Sequence, residues 1–388
     1  MDKFLSRIFP TPEIPEAPAP GVYQCTLTDS DGDQPERLHL RIERSHEGVL
    51  IVNASIVLHL NQTASEHSYW WIQGEEPEQA ASVIAARYRV TKKQALQDHY
   101  DLREQVLTLS RTPDLDPVIY LDMNRTDPYE MQLTAPYRLD CALTYKIDAD
   151  GTYDPNARAR VDRELSTSEW KKILSKAWQA GIPHVTFTGG EPTLYTGLID
   201  LIAHAESLGQ ITGLLTNGIR FNDPSYLDDL VMTGLDHLLV AVDFKVAETI
   251  SGLQAAIGTN VFTAAHLSIN NENLADITSQ IEELNKFEVE AISLSAAGED
   301  QELIDALVKA RDHAAYLGMD LIWDLPVPCF FINPVDLELV EPLRGSGRAW
   351  LYVEPDGDVL PAQGIDEILG NMLRDDWAQI WKRAAAWS

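Results

Sequence analysis

The stretch HVTFTGGEPTL (184–194) decides the fold of this chain. Its first five residues are a short run rich in apolar and β-branched side chains, which predicts a buried strand. Gly189 and Gly190 allow the backbone to approach a ligand closely, and Pro192 stiffens the exit. Glu191 offers a carboxylate that only accepts hydrogen bonds, which suits an ammonium group. The alternative interpretation of residues 189–192 is a plain turn between a strand and a helix.

Strands and helices alternate on both sides of this stretch from about residue 134 onwards. Six β-α units predict an α/β fold with a parallel sheet or an open barrel. In parallel barrels, chemistry lies at the carboxyl ends of the strands. The predicted strands are 137–145, 184–188, 211–217, 237–242, 265–269 and 291–295, and the helices begin at Ser166, Tyr195, Pro224, Glu248, Asn273 and Asp300. A hairpin around PDGD (355–358) and a Trp-rich helix from Asp375 follow.

The first part of the chain has a different pattern. Strands at 38–43, 49–52 and 56–60 precede three helices that begin near Thr63, after Pro77 and at Thr91, which predicts a small winged-helix-like module. The resulting domain prediction is a disordered tail at 1–20, an N-terminal domain at 21–110, a linker at 111–133, a barrel at 134–335 and a C-terminal extension at 336–388.

Charge and composition exclude several classes of function. Sixty acidic against thirty basic residues give a formal charge of −30. This charge repels a phosphate backbone and argues against nucleic-acid binding. We expect no membrane helix, since no long uncharged apolar run occurs. We also expect no signal peptide, since the short apolar patch at the start is followed by Pro and Glu residues. Cys25, Cys141 and Cys329 are too dispersed for a disulfide framework or a zinc site, so a cytoplasmic location is expected.

Four ordered segments resemble the radical S-adenosylmethionine (SAM) superfamily over residues 134–335. They are APYRLDCALTYK (135–146), ELSTSEWKKIL (164–174), GIPHVTFTGGEPTL (181–194) and ITGLLTNG (211–218), and VEPDGDVLPAQG (353–364) resembles a SPASM tail. The resemblance implies a partial (β/α)6 barrel that binds S-adenosylmethionine. By this resemblance the cofactor-binding residues are Gly189, Gly190, Glu191, Pro192, Asn217, Asp243 and Asn270. Taken singly, the last three are also typical strand-end caps or turn residues.

This chain departs from the family at the iron–sulfur cluster. The family's first strand leads into a C-x3-C-x2-C loop, whose three thiolates hold a 4Fe–4S cluster. The corresponding positions here are Ile147, Gly151 and Asp154, and none is a cysteine. Cys141 lies within the preceding strand, where a cysteine is typically a small core residue. We therefore expect no metal ligands at these positions and no 4Fe–4S cluster.

Two further sequence features bear on metal binding. The segments that carry auxiliary-cluster cysteines in SPASM domains, LRGSGRAW (343–350) and the region of Ala362, contain none here. The spacing of Asp148, Asp150 and Asp154 suggests a calcium loop, but it lacks the terminal bidentate Glu of an EF-hand. The alternative is a solvated polar loop.

The N-terminal module resembles PqqD-like domains, which bind the leader peptides of ribosomally made peptides. The resemblance rests on GVLIVNASIVLHLNQTA (48–64), Gly74 and AARYRV (85–90). It implies that a leader peptide adds as a strand between a sheet edge and the third helix. The expected peptide-binding residues are Val49, Leu50, Ile51, Val52, Ile56, Leu58, Leu96, Tyr100 and Arg103. The alternative is that these apolar residues only form the core.

Three hypotheses for function remain open. The first is a non-catalytic scaffold or regulator that binds a leader peptide and presents it to an active radical SAM enzyme. The second is an enzyme that modifies a peptide with S-adenosylmethionine but without a cluster. The third is a radical enzyme whose cluster has atypical ligands, and three isolated cysteines make it the weakest.

Overall fold

The chain divides into two compact units, Met1–Asp127 and Pro128–Ser388. The computed structural model describes residues 16–27, 36–53, 56–112, 115, 133–148, 150, 152, 161, 163–322, 326, 331–334, 336–337 and 345–387. Among these residues, no helix is both long enough and apolar enough to cross a bilayer.

The first unit contains a four-stranded antiparallel sheet. Its strands are β1 (Gly21–Leu27), β2 (Glu36–Ile42), β3 (Gly48–Val52) and β4 (Ile56–Leu60), in that spatial order. The three predicted strands are present. β1 was not predicted, because GVYQCTL has few strongly apolar residues and lies at the edge, where strands bury less surface.

One predicted peptide-binding edge is wrong. Val49, Leu50, Ile51 and Val52 lie in β3, which is hydrogen-bonded to β2 on one side and to β4 on the other. Their backbone groups are used within the sheet, so β3 cannot accept an added strand. Of the two edges that were predicted, β4 with Ile56 and Leu58 is therefore the one that lies at the border of the sheet.

Three helices follow the sheet as expected. They are α1 (Gln62–Ile72), α2 (Pro77–Tyr88) and α3 (Lys92–Arg111). Thr91 caps α3 as predicted, its side chain accepting a hydrogen bond from the backbone N–H of Gln94 at 3.2 Å. Asn61, not Thr63, caps α1, and its Oδ1 accepts from the N–H of Ala64 at 2.9 Å.

The second unit is built on one ten-stranded sheet of order β11-β10-β9-β8-β7-β6-β5-β12-β13-β14. Its strands are β5 (Arg138–Thr144), β6 (His184–Gly189), β7 (Ile211–Thr216), β8 (His237–Ala241), β9 (Phe262–Ile269), β10 (Ala291–Ala296), β11 (Leu321–Ile322), β12 (Trp350–Val353), β13 (Asp358–Leu360) and β14 (Gly370–Asn371). Strands β5 to β11 are parallel. The six predicted strands are all confirmed.

Helices connect the parallel strands. They are α4 (Thr167–Ala180), α5 (Leu198–Leu208), α6 (Pro224–Val231), α7 (Ala247–Ile257), α8 (Ile277–Lys286) and α9 (Gln301–Tyr316), and α10 (Trp377–Trp387) follows the last strand. The predicted α/β fold is confirmed. Ser166 and Glu169 form the capping box that begins α4. Two predicted helix starts are early, because a 3-10 turn (Pro192–Leu194) precedes α5 and α8 begins at Ile277, four residues after Asn273.

Alternation along β5 separates two environments. Leu139, Cys141 and Leu143 lie in the main apolar core with the flanking helices. Asp140 and Thr144 lie on the opposite face and are buried among polar groups. Because parallel strands share their direction, the carboxyl ends of β5 to β10 meet at one edge of the sheet.

The C-terminal segment continues this sheet. β12 pairs in parallel with β5, and the predicted hairpin around PDGD is confirmed by the antiparallel pairing of β12 with β13. The Lys176 ammonium of α4 donates to the carbonyl oxygens of Met372 and Asp375 at 2.6 and 2.7 Å. The extension predicted at 336–388 thus packs as part of the second unit.

Candidate functional site

Glu191 lies at the carboxyl end of β6 and is almost fully buried. Its Oε1 accepts from Thr193 N at 2.9 Å, Thr193 Oγ1 at 2.6 Å and Thr216 Oγ1 at 2.7 Å. Its Oε2 accepts from Asn217 N at 2.8 Å. Three donors on Oε1 and one on Oε2 hold the carboxylate inside the protein. The group therefore ties the exit of β6 to the end of β7, which differs from the predicted direct grip on an ammonium group.

The two glycines permit a close approach between backbones. Gly189 has φ of 140°, and a Cβ there would collide with the carbonyl oxygen of Thr144. A Cβ on Gly190 would collide with the carbonyl oxygen of Lys146. The N–H groups of Gly190 and Glu191 donate to those two carbonyls at 2.8 and 2.7 Å. Both glycines are therefore required by the close approach of the end of β5 and the two residues that follow it.

Asn217, Asp243 and Asn270 follow β7, β8 and β9 along one edge. Each side chain accepts a hydrogen bond from the N–H two residues later, at 3.0, 2.9 and 2.9 Å respectively. These Asx turns fix the three side chains by one oxygen each. Among the residues that the structure describes, Asn217 Nδ2, Asp243 Oδ2 and Asn270 Nδ2 have no hydrogen-bond partner. The strand-end edge thus keeps a row of oriented polar atoms.

The residues after β5 do not fit an iron–sulfur cluster. Ile147 has an apolar side chain that is 47% exposed, and its N–H donates to Thr152 O at 2.8 Å. Gly151 and Asp154 lie outside the described residues. The nearby Cys141 is fully buried, and burial raises the pKa of its thiol well above the usual value, with a further contribution from the Asp140 carboxylate. A thiol held in its protonated form is a poor metal ligand.

The predicted calcium loop is only partly described. Asp148 Oδ1 accepts from the N–H of Thr152 at 3.0 Å, so one of its oxygens closes a local turn. Asp150 is exposed, and Asp154 lies outside the described residues. Over the described parts of the chain, no three His, Cys, Asp or Glu side chains are grouped as metal ligands.

A buried tyrosine–glutamate network joins β5 to the C-terminal hairpin. Tyr145 Oη donates to Glu354 Oε1 at 3.0 Å and lies 3.3 Å from Tyr352 Oη. Burial raises the pKa of Tyr352 well above its usual value, and Tyr145 and Glu354 add to the effect. This network was not predicted, because Tyr145 lies more than 200 residues from Tyr352 and Glu354 in the sequence.

The first unit has an apolar core against which Ile56, Leu58, Leu102 and Leu107 pack, and Trp71 belongs to that core. We call these five residues the groove cluster, because the PqqD-like resemblance implies a peptide groove at this place. The two β4 side chains are half-buried and pack in the same apolar core as the two leucines of α3. Leu102 and Leu107 were not among the predicted peptide-binding residues. Leu96 was predicted to bind the peptide, but it packs in the apolar cluster between α2 and α3.

Two other predicted peptide-binding residues lie on α3. Tyr100 is 44% exposed. The guanidinium carbon of Arg103 lies 5.3 Å from the centroid of the Trp71 ring, within cation–π range. Arg103 therefore borders the groove cluster.

Two buried histidines, one on α1 and one on α3, lie side by side. The Nδ1 atoms of His67 and His99 are 3.3 Å apart, and both side chains are buried. Burial lowers the pKa of His67 to about 4. Burial, and then the charges of His67 and Arg103, lower the pKa of His99 to about 4. At neutral pH the pair is uncharged, and one ring donates to the other.

Comparison with known proteins relates the second unit to a known superfamily. Residues 141–244 match the profile of the Radical SAM superfamily. The second unit has a radical-SAM-type fold. This α/β fold also relates the chain to Streptococcus suis SuiB bound to S-adenosylmethionine, with a TM-score of 0.61 and 16% identity over 89% of this chain and 86% of that one.

Further proteins are similar to this chain in structure or in sequence. Streptococcus suis SuiB bound to precursor peptide SuiA has a TM-score of 0.57 and 14% identity over 88% of this chain and 86% of that one. The PqqA peptide cyclase of Xanthomonas oryzae pv. oryzae (strain MAFF 311018) is 27% identical over 263 residues, 59% of this chain and 69% of that protein. The PqqA peptide cyclase of Rhizobium meliloti is 25% identical over 265 residues, 60% of this chain and 69% of that protein.

Proposed function

We propose that this protein binds the leader of a precursor peptide and acts as a non-catalytic scaffold or regulator in the modification of a ribosomal peptide. The observation that carries the proposal is the position of β4 at the border of the first unit's sheet, beside the groove cluster. The similarity to PqqA peptide cyclases and to SuiB, which has been seen with a precursor peptide, supports a peptide as the partner.

The binding mode follows from the chemistry of an edge strand. An extended peptide would pair its backbone with the outward N–H and C=O groups of β4. Alternate peptide side chains would then point towards the face that carries Ile56 and Leu58. Both residues are half-buried, so an apolar peptide side chain would remove their remaining surface from water.

The scaffold role is supported by the chemistry of the predicted cluster positions. The resemblance assigns three thiolates to positions that hold Ile147, Gly151 and Asp154 here. Neither Ile147 nor Gly151 has a side-chain ligand, and a carboxylate oxygen suits iron–sulfur chemistry poorly. In this proposal a separate, active radical SAM enzyme performs the chemistry on the bound peptide.

The proposal is tested by peptide display on the whole chain. A phage-displayed library of random twelve-residue peptides is selected on the immobilised protein and on Leu58→Asp, which places a charge in the groove cluster. Val57→Asp is the matched control, because Val57 neighbours Leu58 on the same strand but points to the opposite face. We expect enrichment on the native chain and Val57→Asp, and loss on Leu58→Asp. Equal enrichment on all three proteins would exclude β4 as the peptide edge.

A second candidate function is an S-adenosylmethionine-dependent enzyme that works without a cluster. The observation that favours it is the row of oriented polar atoms on Asn217, Asp243 and Asn270. S-adenosylmethionine would supply an electrophilic methyl group, and these side chains would hold its polar atoms.

Calorimetric titration of S-adenosylmethionine into anaerobically purified protein tests this candidate. Asn217→Asp is the matched variant, because it keeps the turn-forming oxygen and replaces the Nδ2 donor by an acceptor. Micromolar binding that this variant abolishes would favour the enzyme. Absence of binding to the native chain would exclude it.

A further inference from the structure

Arg103 differs from three other arginines of the first unit, each of which is paired with a carboxylate. Arg41 pairs with Glu43 at 2.9 Å, Arg87 with Glu66 at 2.9 Å and Arg111 with Glu36 at 3.0 Å. Arg103 is half-buried, and its guanidinium lies over the ring of Trp71. Within the described residues, no carboxylate forms an ion pair with it.

The sequence of α3 explains why this charge is unpaired. Side chains three and four positions apart are neighbours on a helix. Those positions around Arg103 hold His99, Tyr100, Val106 and Leu107, none of which is acidic. The nearest preceding carboxylates on the helix, Asp98 and Asp101, accept hydrogen bonds from Gln94 and Gln97, each at 2.7 Å.

The position of Arg103 connects it to the proposed peptide edge. Trp71 is 6% exposed and belongs to the groove cluster together with Leu58 of β4. Its ring holds the Arg103 guanidinium at the border of that cluster. The buried pair of His67 and His99 is neutral at pH 7 and therefore adds no charge beside Arg103. The border of the groove therefore carries a fixed positive group.

We propose that the β4 groove selects an extended peptide that carries an aspartate or glutamate side chain opposite Arg103. The inference rests on the proposed function and names its substrate class. A guanidinium binds a carboxylate through two parallel hydrogen bonds, which gives both strength and geometry. Because the chain as a whole carries a charge of −30, a carboxylate elsewhere on the peptide is disfavoured. Arg103 thus discriminates between peptides by the position of their acidic residue.

Selection from a random library tests the inference and does not require the sequence of the precursor. The same library of twelve-residue peptides is selected on the native chain, on Arg103→Glu and on Lys93→Glu. Lys93 is exposed on the same helix ten residues earlier and is the control for charge reversal. We expect the native chain and Lys93→Glu to enrich peptides that have alternating apolar residues and one Asp or Glu at a fixed spacing from them. Arg103→Glu should enrich Lys or Arg at that spacing.

A pair of synthetic peptides gives the quantitative test on unaltered protein. One has the enriched sequence and the other replaces its carboxylate by the isosteric amide. Fluorescence anisotropy should show about tenfold weaker binding of the amide peptide to the native chain, the scale of a charge-assisted hydrogen bond. Arg103→Gln should remove the difference, and Arg103→Lys should retain part of it.

Three outcomes separate the claims. Enriched peptides without a positional carboxylate would overturn the inference and leave the proposed function standing. Equal affinity of the native chain for the acid and the amide peptide would overturn it in the same way. If the native chain enriches no more than Leu58→Asp does, the proposed function fails and the inference falls with it.

Discussion

Two polar sites, one in each unit, differ in how completely their groups are hydrogen-bonded. In the second unit, the carboxylate of Glu191 has four donors and the Tyr145 hydroxyl has a carboxylate partner. In the first unit, Arg103 lies on an aromatic ring and His67 and His99 have each other, with neither Nε2 hydrogen-bonded within the described residues. Complete satisfaction favours rigidity, whereas an unpaired group can still gain a partner. This difference is the reason why the proposed peptide contact is assigned to Arg103.

The largest expected effect comes from breaking the Glu191 network. Glu191→Ala would leave the Thr193 and Thr216 hydroxyls and the Asn217 N–H without their acceptor inside the protein. We expect a loss of about 2–4 kcal/mol in the free energy of unfolding, because buried unsatisfied donors are costly. Urea unfolding measures it, with the exposed Glu248→Ala as the control. A loss below about 0.5 kcal/mol would indicate that the carboxylate is free to bind a cofactor.

The histidine pair should make the first unit sensitive to acid. Both histidines have pKa values of about 4 in the folded state, below the unfolded value of about 6.5. Between these pH values the unfolded chain therefore binds more protons than the folded chain. The contribution of the pair to the free energy of unfolding is constant above about pH 6.5 and falls as the pH decreases towards 4. Allowing for solvent screening, we expect a loss of about 1–2 kcal/mol between pH 7.5 and pH 5.

Hydrogen exchange resolved by segment measures this loss locally in α1 and α3. His99→Gln, which removes one titrating ring, should make the pH dependence of exchange in both helices shallower. An unchanged pH profile in that variant would contradict the role of the pair. His237 and His266 of the second unit also have pKa values lowered to about 4, mainly by burial. The pH dependence of exchange in β8 and β9 should therefore be the same in His99→Gln as in the native chain, which makes these strands the internal control.

A smaller effect is expected where the C-terminal hairpin joins β5. Tyr145→Phe removes the hydroxyl that donates to Glu354 while keeping the ring. We expect a loss of about 1 kcal/mol in the free energy of unfolding, the usual contribution of one hydrogen bond. Thermal unfolding measures it, and Tyr316→Phe on exposed α9 is the control, since Tyr316 is 84% exposed. If both variants lose the same stability, the network does not hold the hairpin.

Local signals predicted much of this architecture. The six parallel strands are apolar runs bounded by turns, and Ser166 and Thr91 begin helices because their side chains cap free N–H groups. β1 was not predicted, because an edge strand with polar side chains lacks that apolar pattern. The pairing of β3 on both sides could not be predicted either, since strand order depends on contacts between residues that are distant in the sequence.

The candidate sites were predictable by position but not by contact. Asn217, Asp243 and Asn270 are recognisable as strand-end residues, and the structure places them along one edge as expected. The role of Glu191 was not recognisable, because its partners on β7 lie some 25 residues away in the sequence. Arg103 was predicted to contact the peptide, but its position over the ring of Trp71 emerges only from the structure.

The measurement that tests the account most directly is iron and sulfide content after anaerobic reconstitution. The matched comparison is a triple variant, Ile147→Cys with Gly151→Cys and Asp154→Cys, which restores three thiols at the predicted cluster positions. We expect the native chain to retain no stoichiometric iron, and the triple variant to gain it. About four irons and four sulfides per native chain, the content of one 4Fe–4S cluster, would contradict the account and make this protein a radical enzyme with atypical ligands.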